Sequence, residues 1–333
     1  MRIGLAGCGR IGAMHAEVLR ELSDVKEIVV ADLDLSRSAE VAERLKVSMA
    51  ESVDDLLSSG LDGIVIATAT DSHAELVVRS AAAGLPTFCE KPVAADVEGT
   101  LAVITSIAGW DVPVQIGFQR RFDPGHLMAR NLVQSGRLGR IHSIRAVTSD
   151  PTPPPESFIA TAGGLFRDCL VHDFDSIRWM TGREIVSVYA RGSNNGADFF
   201  ARHGDVDTAA VLLTLDDGSL ATVSSTRYNG AGYDVRLEVL GEKDSVAIGL
   251  DHHTALTSME AGVDFPAGPV WPSFPQRFAQ AYRAEFEAFV DLAREGGSSP
   301  CTAEDALEAF YVAEAAEMSR RDNRPVELGE VRR

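Results

Sequence analysis

The first 117 residues alternate between short, largely apolar runs and longer stretches with helically spaced apolar positions. The runs fall at 2–6, 27–31, 63–67, 86–89 and 112–117. Between them the spacing predicts helices at 11–22, 36–46 (opening at Ser36), 72–83 and 93–107. Strands apolar on both faces are covered on both faces. Alternating with helices, they build a parallel, doubly wound α/β sheet.

After about residue 120 the pattern changes. A helix near 124–136 leads into a strand at 140–149 and a Pro-rich loop at 151–155, where proline favours extended chain. A helix is predicted at 165–180, then in–out alternating strands at 184–192, 207–215, 219–227, 233–240 and 245–250. Asp217-Gly218 marks a hairpin turn, and helices at 276–294 and 302–320 close the chain. Short turns between strands predict a large, mostly antiparallel open sheet with helices on one face, an α+β domain. The expected division is therefore 1–120 and 121–333, with no internal repeat.

Composition narrows the function. A chain of 333 residues suits two domains, and 45% hydrophobic with 24% charged residues is a globular profile. With 49 acidic and 31 basic side chains, the net charge is −18, which repels phosphate backbones and anionic lipid. Nucleic acid and membrane are excluded as partners, and a small molecule is expected. The N-terminus enters a strand at once without a basic, apolar leader, and no apolar run approaches the roughly 20 residues that span a bilayer. The four cysteines (Cys8, Cys89, Cys169, Cys301) form no C-x-x-C pair. Reduced thiols in a cytoplasmic protein are the expectation.

Gly7-Cys8-Gly9-Arg10-Ile11-Gly12 is a G-x-G-x-x-G that follows the first strand and opens the first helix. Glycines there permit a tight turn and close backbone approach, so a pyrophosphate can sit on the helix N-terminus. Asp32, 20 residues past Gly12 at the end of the second strand, is placed to accept from the ribose hydroxyls. Its charge favours NAD over NADP, although Arg10 and Arg37 could each face a phosphate; Arg10 could equally lie over the adenine.

Cys89-Glu90-Lys91-Pro92 ends the fourth strand, where ligands collect in open parallel sheets. Glu90 can hold the Lys91 ammonium charged and oriented, and Pro92 fits the first turn of the next helix. Position alone equally allows a surface lysine. On helix 165–180, Asp168, His172 and Asp175 fall on one stripe, with Phe166, Leu170 and Ile177 opposite. A carboxylate one turn before His172 can tune it, yet the same spacing fits a polar outer face. No His or Cys cluster at ligand spacing supports a metal, and His252-His253 beside Asp251 reads as a solvated turn.

These motifs, with Gly117-Phe118-Gln119-Arg120-Arg121-Phe122 and Gly163-Gly164-Leu165-Phe166-Arg167-Asp168 running on to Val171-His172-Asp173-Phe174-Asp175, resemble the Gfo/Idh/MocA oxidoreductases over essentially the whole chain. Ser149-Asp150-Pro151-Thr152-Pro153-Pro154-Pro155 and Gly232-Tyr233-Asp234 are similar to its inositol-dehydrogenase branch. The resemblance implies a Rossmann domain binding NAD, a substrate domain with an open sheet, and a homodimer or homotetramer. It implies Lys91, Asp168 and His172 as catalytic residues. Thr68, His73, Glu90 and Lys91 are expected to join the glycines, Arg10, Ile11 and Asp32 at the cofactor, and Arg120, Asp150 and Tyr233 to bind substrate. The implied reaction is oxidation of a secondary hydroxyl of a cyclic polyol or sugar, foremost myo-inositol to its 2-ketone. Another sugar and a non-catalytic dinucleotide sensor are the alternatives, and retention of all three catalytic residues argues against the sensor. Two departures stand out: Ala69 replaces a frequent proline, and Thr148-Ser149-Asp150 replaces a His-x-Asn found in some inositol dehydrogenases.

Overall fold

The five apolar runs become five strands of one parallel sheet: β1 (Arg2–Ala6), β2 (Glu27–Ala31), β4 (Gly63–Ile66), β5 (Thr87–Glu90) and β6 (Val114–Gly117). A sixth, β3 (Ser48–Met49), and a helix at Val53–Leu57 were not expected; both are too short to carry a period. The strand order is β3-β2-β1-β4-β5-β6, and every pair is parallel. The order reverses at β1, so the carboxyl ends of β1 and β4 flank the switch point where such sheets bind ligands.

The computed structural model describes residues 1–332 and divides into two compact units. The first comprises Met1–Phe122 with Gln280–Leu307, and the second Asp123–Ala279 with the residues from Glu308 onward. The contiguous second domain expected from residue 121 thus gives up a stretch to the first. The reason is in the core: Phe286, Phe289 and Val290 of the helix Ala279–Glu295 pack with Ile3, Leu5, Val30, Val65 and Phe88. An amphipathic pattern shows that a helix has an apolar face, not which sheet covers it.

The second unit is built on seven strands: β7 (Ile141–Ser149), β8 (Ile185–Ser193), β9 (Thr208–Leu215), β10 (Leu220–Thr226), β11 (Asp234–Gly241), β12 (Ser245–Ile248) and β13 (Val326–Glu327). Their order is β12-β11-β7-β10-β9-β8-β13, antiparallel except where β7 and β10 run parallel. Gly218, at φ +84°, turns the hairpin between β9 and β10, as Asp217-Gly218 predicted. Along β10, Ala221, Val223 and Ser225 are buried while Leu220, Thr222 and Ser224 are exposed, so one face of the sheet stays open.

Several helix starts differ from expectation, each for a capping reason. The helix expected from Ser36 begins at Leu35, because the Asp34 carboxylate accepts from the Ser36 amide at 3.0 Å. The helix expected from residue 93 begins at Val97, where Asp96 accepts from the Gly99 amide at 2.7 Å. Pro92, expected inside that helix, lies before it, joined to Lys91 by a cis peptide bond. Among the described residues no helix is long and apolar enough to cross a membrane.

Candidate active site

In the first unit, the glycine loop joins β1 to the helix Arg10–Glu21. Gly7 has φ +97°, and a Cβ there would lie 2.5 Å from the Ala67 carbonyl oxygen. A Cβ on Gly12 would fall 1.8 Å from the Gly7 carbonyl oxygen, so the helix closes directly onto the turn. Gly9 differs: it caps the helix without a side chain, and a Cβ there would meet nothing within 4 Å. The first turn carries no acid and its N-cap no side chain, which suits an anion at this helix N-terminus.

Asp32 stands where a ribose partner belongs. Its Oδ2 accepts from the Cys8 amide at 2.6 Å and its Oδ1 from the Asp34 amide at 2.8 Å, so two backbone donors fix the carboxylate. Burial, and secondarily the Asp32 charge, pushes the Cys8 thiol up to about 12, leaving it an inert neighbour. Arg37 lies 3.4 Å from the Asp34 carboxylate, while Arg10 is exposed. A glycine turn, a helix N-terminus with no acid in its first turn and a clamped acid fit NAD.

His73 is 2% exposed and turns its ring inward, Nδ1 2.7 Å from the Pro92 carbonyl oxygen and Nε2 3.1 Å from that of Thr68. In this position it ties the segment after β4 to the one carrying Lys91. Glu90 is also turned inward, its Oε1 2.6 Å from Nε2 of the buried His15. Burial raises the Glu90 carboxyl, but the His15 hydrogen bond and the charges of His15, Lys91 and His73 outweigh it and hold it below the usual range. Desolvation, and secondarily the Glu90 charge, pushes the carboxyl of the fully buried Glu285 well up. Lys91, half-buried, follows β5 as the sequence placed it. Arg120 is only 2% exposed, in the turn Gln119–Phe122.

The second unit carries the other half of the predicted set. Gly163 and Gly164, at φ +76° and +94°, reverse the chain, and Asp205 Oδ1 accepts from the amides of Leu165 (2.8 Å) and Val206 (2.7 Å). One wide turn of π-helix, Phe166–Leu170, then leads into the α-helix Val171–Thr181. The predicted stripe ran on to Asp175, but the helix Val171–Thr181 is buried on nearly every side, and Asp173 and Asp175 are 0% and 1% exposed. Asp173 accepts twice from the Thr148 hydroxyl, at 3.0 and 2.8 Å. His172 stays half-buried, with the Ser176 hydroxyl donating to its carbonyl oxygen at 2.7 Å. Tyr233 is 6% exposed and anchored by its amide to the Trp271 carbonyl oxygen at 3.0 Å.

A residue that the sequence did not single out joins two that it did. Arg227 donates from Nη2 to Asp168 Oδ2 and from Nη1 to Asp150 Oδ2, each at 2.7 Å. In the sequence it looks like the last residue of an alternating strand; its one signal is a position just past β10, in parallel register with Asp150 just past β7. Among the described residues no group of three or more His, Cys, Asp or Glu gathers to hold a metal. His253 sits in the turn after Asp251, its amide donating to that carboxylate at 2.7 Å and its ring centroid 4.3 Å from that of Trp271.

Comparison with known proteins agrees with this geometry. The family profile described as "Oxidoreductase family, NAD-binding Rossmann fold" matches residues 1–118, and that described as "GFO/IDH/MocA C-terminal domain" matches 126–247. The chain is 39% identical to the myo-inositol dehydrogenase Hyg17 of Streptomyces leeuwenhoekii, covering 96% of this chain and 97% of that protein. A solved myo-inositol dehydrogenase from Corynebacterium glutamicum is 34% identical with a TM-score of 0.90, over 98% of each chain. A scyllo-inositol dehydrogenase from Lactobacillus casei, solved with NAD(H) and scyllo-inositol, is 31% identical with a TM-score of 0.89, over 99% of each chain. A glycine turn fitted to NAD, a lysine at the end of β5 and a carboxylate–histidine helix in the second unit thus stand in a chain that belongs to the Gfo/Idh/MocA family of NAD-dependent oxidoreductases.

Proposed function

We propose that this protein oxidises a secondary hydroxyl of a cyclic polyol, taking myo-inositol to 2-keto-myo-inositol. The observation that carries this reading is near-full-length similarity to solved inositol dehydrogenases, one of them holding NAD(H) and scyllo-inositol. That same neighbour favours scyllo-inositol as the second reading.

NAD supplies the hydride acceptor when bound to residues 1–120. The chain's own groups do the rest. His172 takes the proton of the reacting hydroxyl, since imidazole is a competent base near neutral pH. Lys91 stabilises the oxygen as negative charge grows on it. Asp168 orients and tunes the catalytic pair, while Arg120, Asp150 and Tyr233 bind the remaining hydroxyls and so choose which carbon reacts. Thr68 and Asp32 hold the cofactor, the latter excluding a 2′-phosphate. The second unit serves substrate binding and assembly into a homotetramer, and four cysteines without a disulfide suit the cytoplasm.

Two measurements test this. Initial rates across myo-inositol, scyllo-inositol and aldoses, each with NAD and NADP, are expected to be highest for myo-inositol with NAD; no NADH formation on any polyol would refute the reaction. His172→Ala is expected to lower turnover by about 10²–10⁴-fold, the usual worth of a general base, and near-normal turnover rejects that role.

A further inference from the structure

The second unit contains a buried cation that the mechanism above does not use. β7 and β10 run parallel, with Ser149 opposite Thr226 as the last paired residues. The chains then stay tied: the Asp150 amide donates to the Thr226 carbonyl oxygen at 2.9 Å and the Asn229 amide to that of Asp150 at 2.8 Å. The Arg227 amide donates to the Asp207 carbonyl oxygen at 2.8 Å. Its guanidinium, 4% exposed, is thus delivered by backbone on both sides to the carboxylates of Asp150 and Asp168.

A guanidinium taken out of water is costly unless carboxylates surround it, and two do. The converse matters more. Asp150 closes a strand and Asp168 sits in the wide helical turn, and without a cation two carboxylates so close would share a proton. We propose that Arg227 is a positioning and specificity residue for the polyol reaction. In this role it holds Asp150 and Asp168 both ionised and aimed, so that the three side chains together carry one net negative charge and keep carboxylate oxygens for hydroxyl donors. Arg227 takes Oδ2 of each carboxylate with separate nitrogens, a fork that lysine cannot reproduce. The arrangement also gives a reason for aspartate at position 150: its charge is already matched from within the fold. Thr148, by contrast, is 3% exposed and spends its hydroxyl on Asp173, so of Thr148-Ser149-Asp150 only Asp150 presents charge toward the site.

The charged and titratable groups facing Arg227 are Asp150, Asp168, Cys169 and, more distantly, Asp205; the Cys169 sulfur lies 4.0 Å from Asp150 Oδ2 and 3.8 Å from Asp168 Oδ2. Replacing the fork by a point charge frees one carboxylate. Its pKa then rises, and activity that needs it ionised is lost at a higher pH than in the parent.

The proposal rests on the polyol-dehydrogenase reading, and the experiment keeps the two apart. Arg227→Lys and Asp150→Asn are compared with the parent by kcat, KM and the pH profile of kcat/KM on the best polyol, with NAD affinity as a control for the first unit. Arg227→Lys is expected to raise KM about tenfold, the scale of one charge-assisted hydrogen bond, and to move the acid limb to higher pH, with NAD affinity unchanged. Asp150→Asn, which leaves the cation whole for Asp168, is expected to raise KM with the acid limb in place. Arg227→Lys with parental KM and acid limb, whatever its melting temperature, would reduce Arg227 to a structural brace and overturn the proposal. If His172→Ala keeps its turnover, the catalytic reading itself fails; if that variant is dead and Arg227→Lys is parental, only this inference falls.

Discussion

At the scale of single residues, the first unit buries an acid, Glu285, whose carboxyl is pushed up by burial and by the Glu90 charge. The sign of its effect on stability can be worked out. Its folded-state pKa lies above the ordinary carboxyl value, so between those two values the native state keeps a proton that the unfolded chain has lost. Stability from this group is full below the unfolded pKa and declines as pH rises. Glu285→Gln removes the titration while keeping the shape. The variant is expected to melt higher than the parent at pH 8, by about 2–4 °C per kcal/mol recovered, with the gain shrinking toward pH 5. Calorimetry at the two pH values checks this; a lower melting temperature at pH 8 would mean that Glu285 is ionised and paired in the native state. Nothing local marks this group, because a glutamate on an amphipathic helix reads as solvated until the helix is known to face a sheet. Arg227 was hidden for the same reason: the partners that define it, Asp150 and Asp168, lie 77 and 59 residues away. Lys91, Asp32 and the glycines were legible because their meaning is local: a strand end, a turn, a helix start.

At the scale of elements, the strands of both sheets were visible in their burial period, and what escaped was short or irregular. β3 and β13 have two residues each, too few to show alternation. The π turn before His172 is a change of pitch inside an otherwise ordinary apolar pattern, and the helix after it is buried on nearly every side, Asp175 included. The glycine turn offers a sharper test, because its glycines are constrained differently. Gly9→Ala has room for its methyl and an ordinary φ of −68°, so the fold is expected to melt like the parent. The methyl nevertheless stands before the first-turn amides, and NAD affinity is expected to fall tenfold or more, about the worth of one charge-assisted hydrogen bond. In Gly12→Ala the methyl collides with the Gly7 carbonyl, so stability is expected to fall by about 2 kcal/mol or more. Melting curves with and without NAD separate the two; equal NAD affinity for Gly9→Ala and the parent would move the pyrophosphate away from this turn.

For the molecule as a whole, the open face of the second unit's sheet is the unbalanced feature. Leu212 and Leu220 are 42% and 44% exposed, on β9 and β10, beside the smaller outward side chains Ala210, Thr222 and Ser224. Paired strands with an apolar outer face favour burial against a second copy, since one patch on each copy meets its like across a two-fold axis. Opposing this is a net charge of −18 on every copy, which repels at long range and is screened within about 10 Å at 0.1 M salt. The two effects predict an assembly that tightens as salt is raised, unlike one held by ion pairs. Light scattering behind a sizing column is expected to give a mass several times 35.7 kDa at 0.3 M salt, with dissociation first appearing near 0.01 M. Leu212→Arg, placed on the open face away from Asp168 and His172 in sequence, is expected to shift the protein toward smaller species at every salt concentration. A parental mass for Leu212→Arg would remove this face from the assembly and leave its leucines without a partner among copies of the chain.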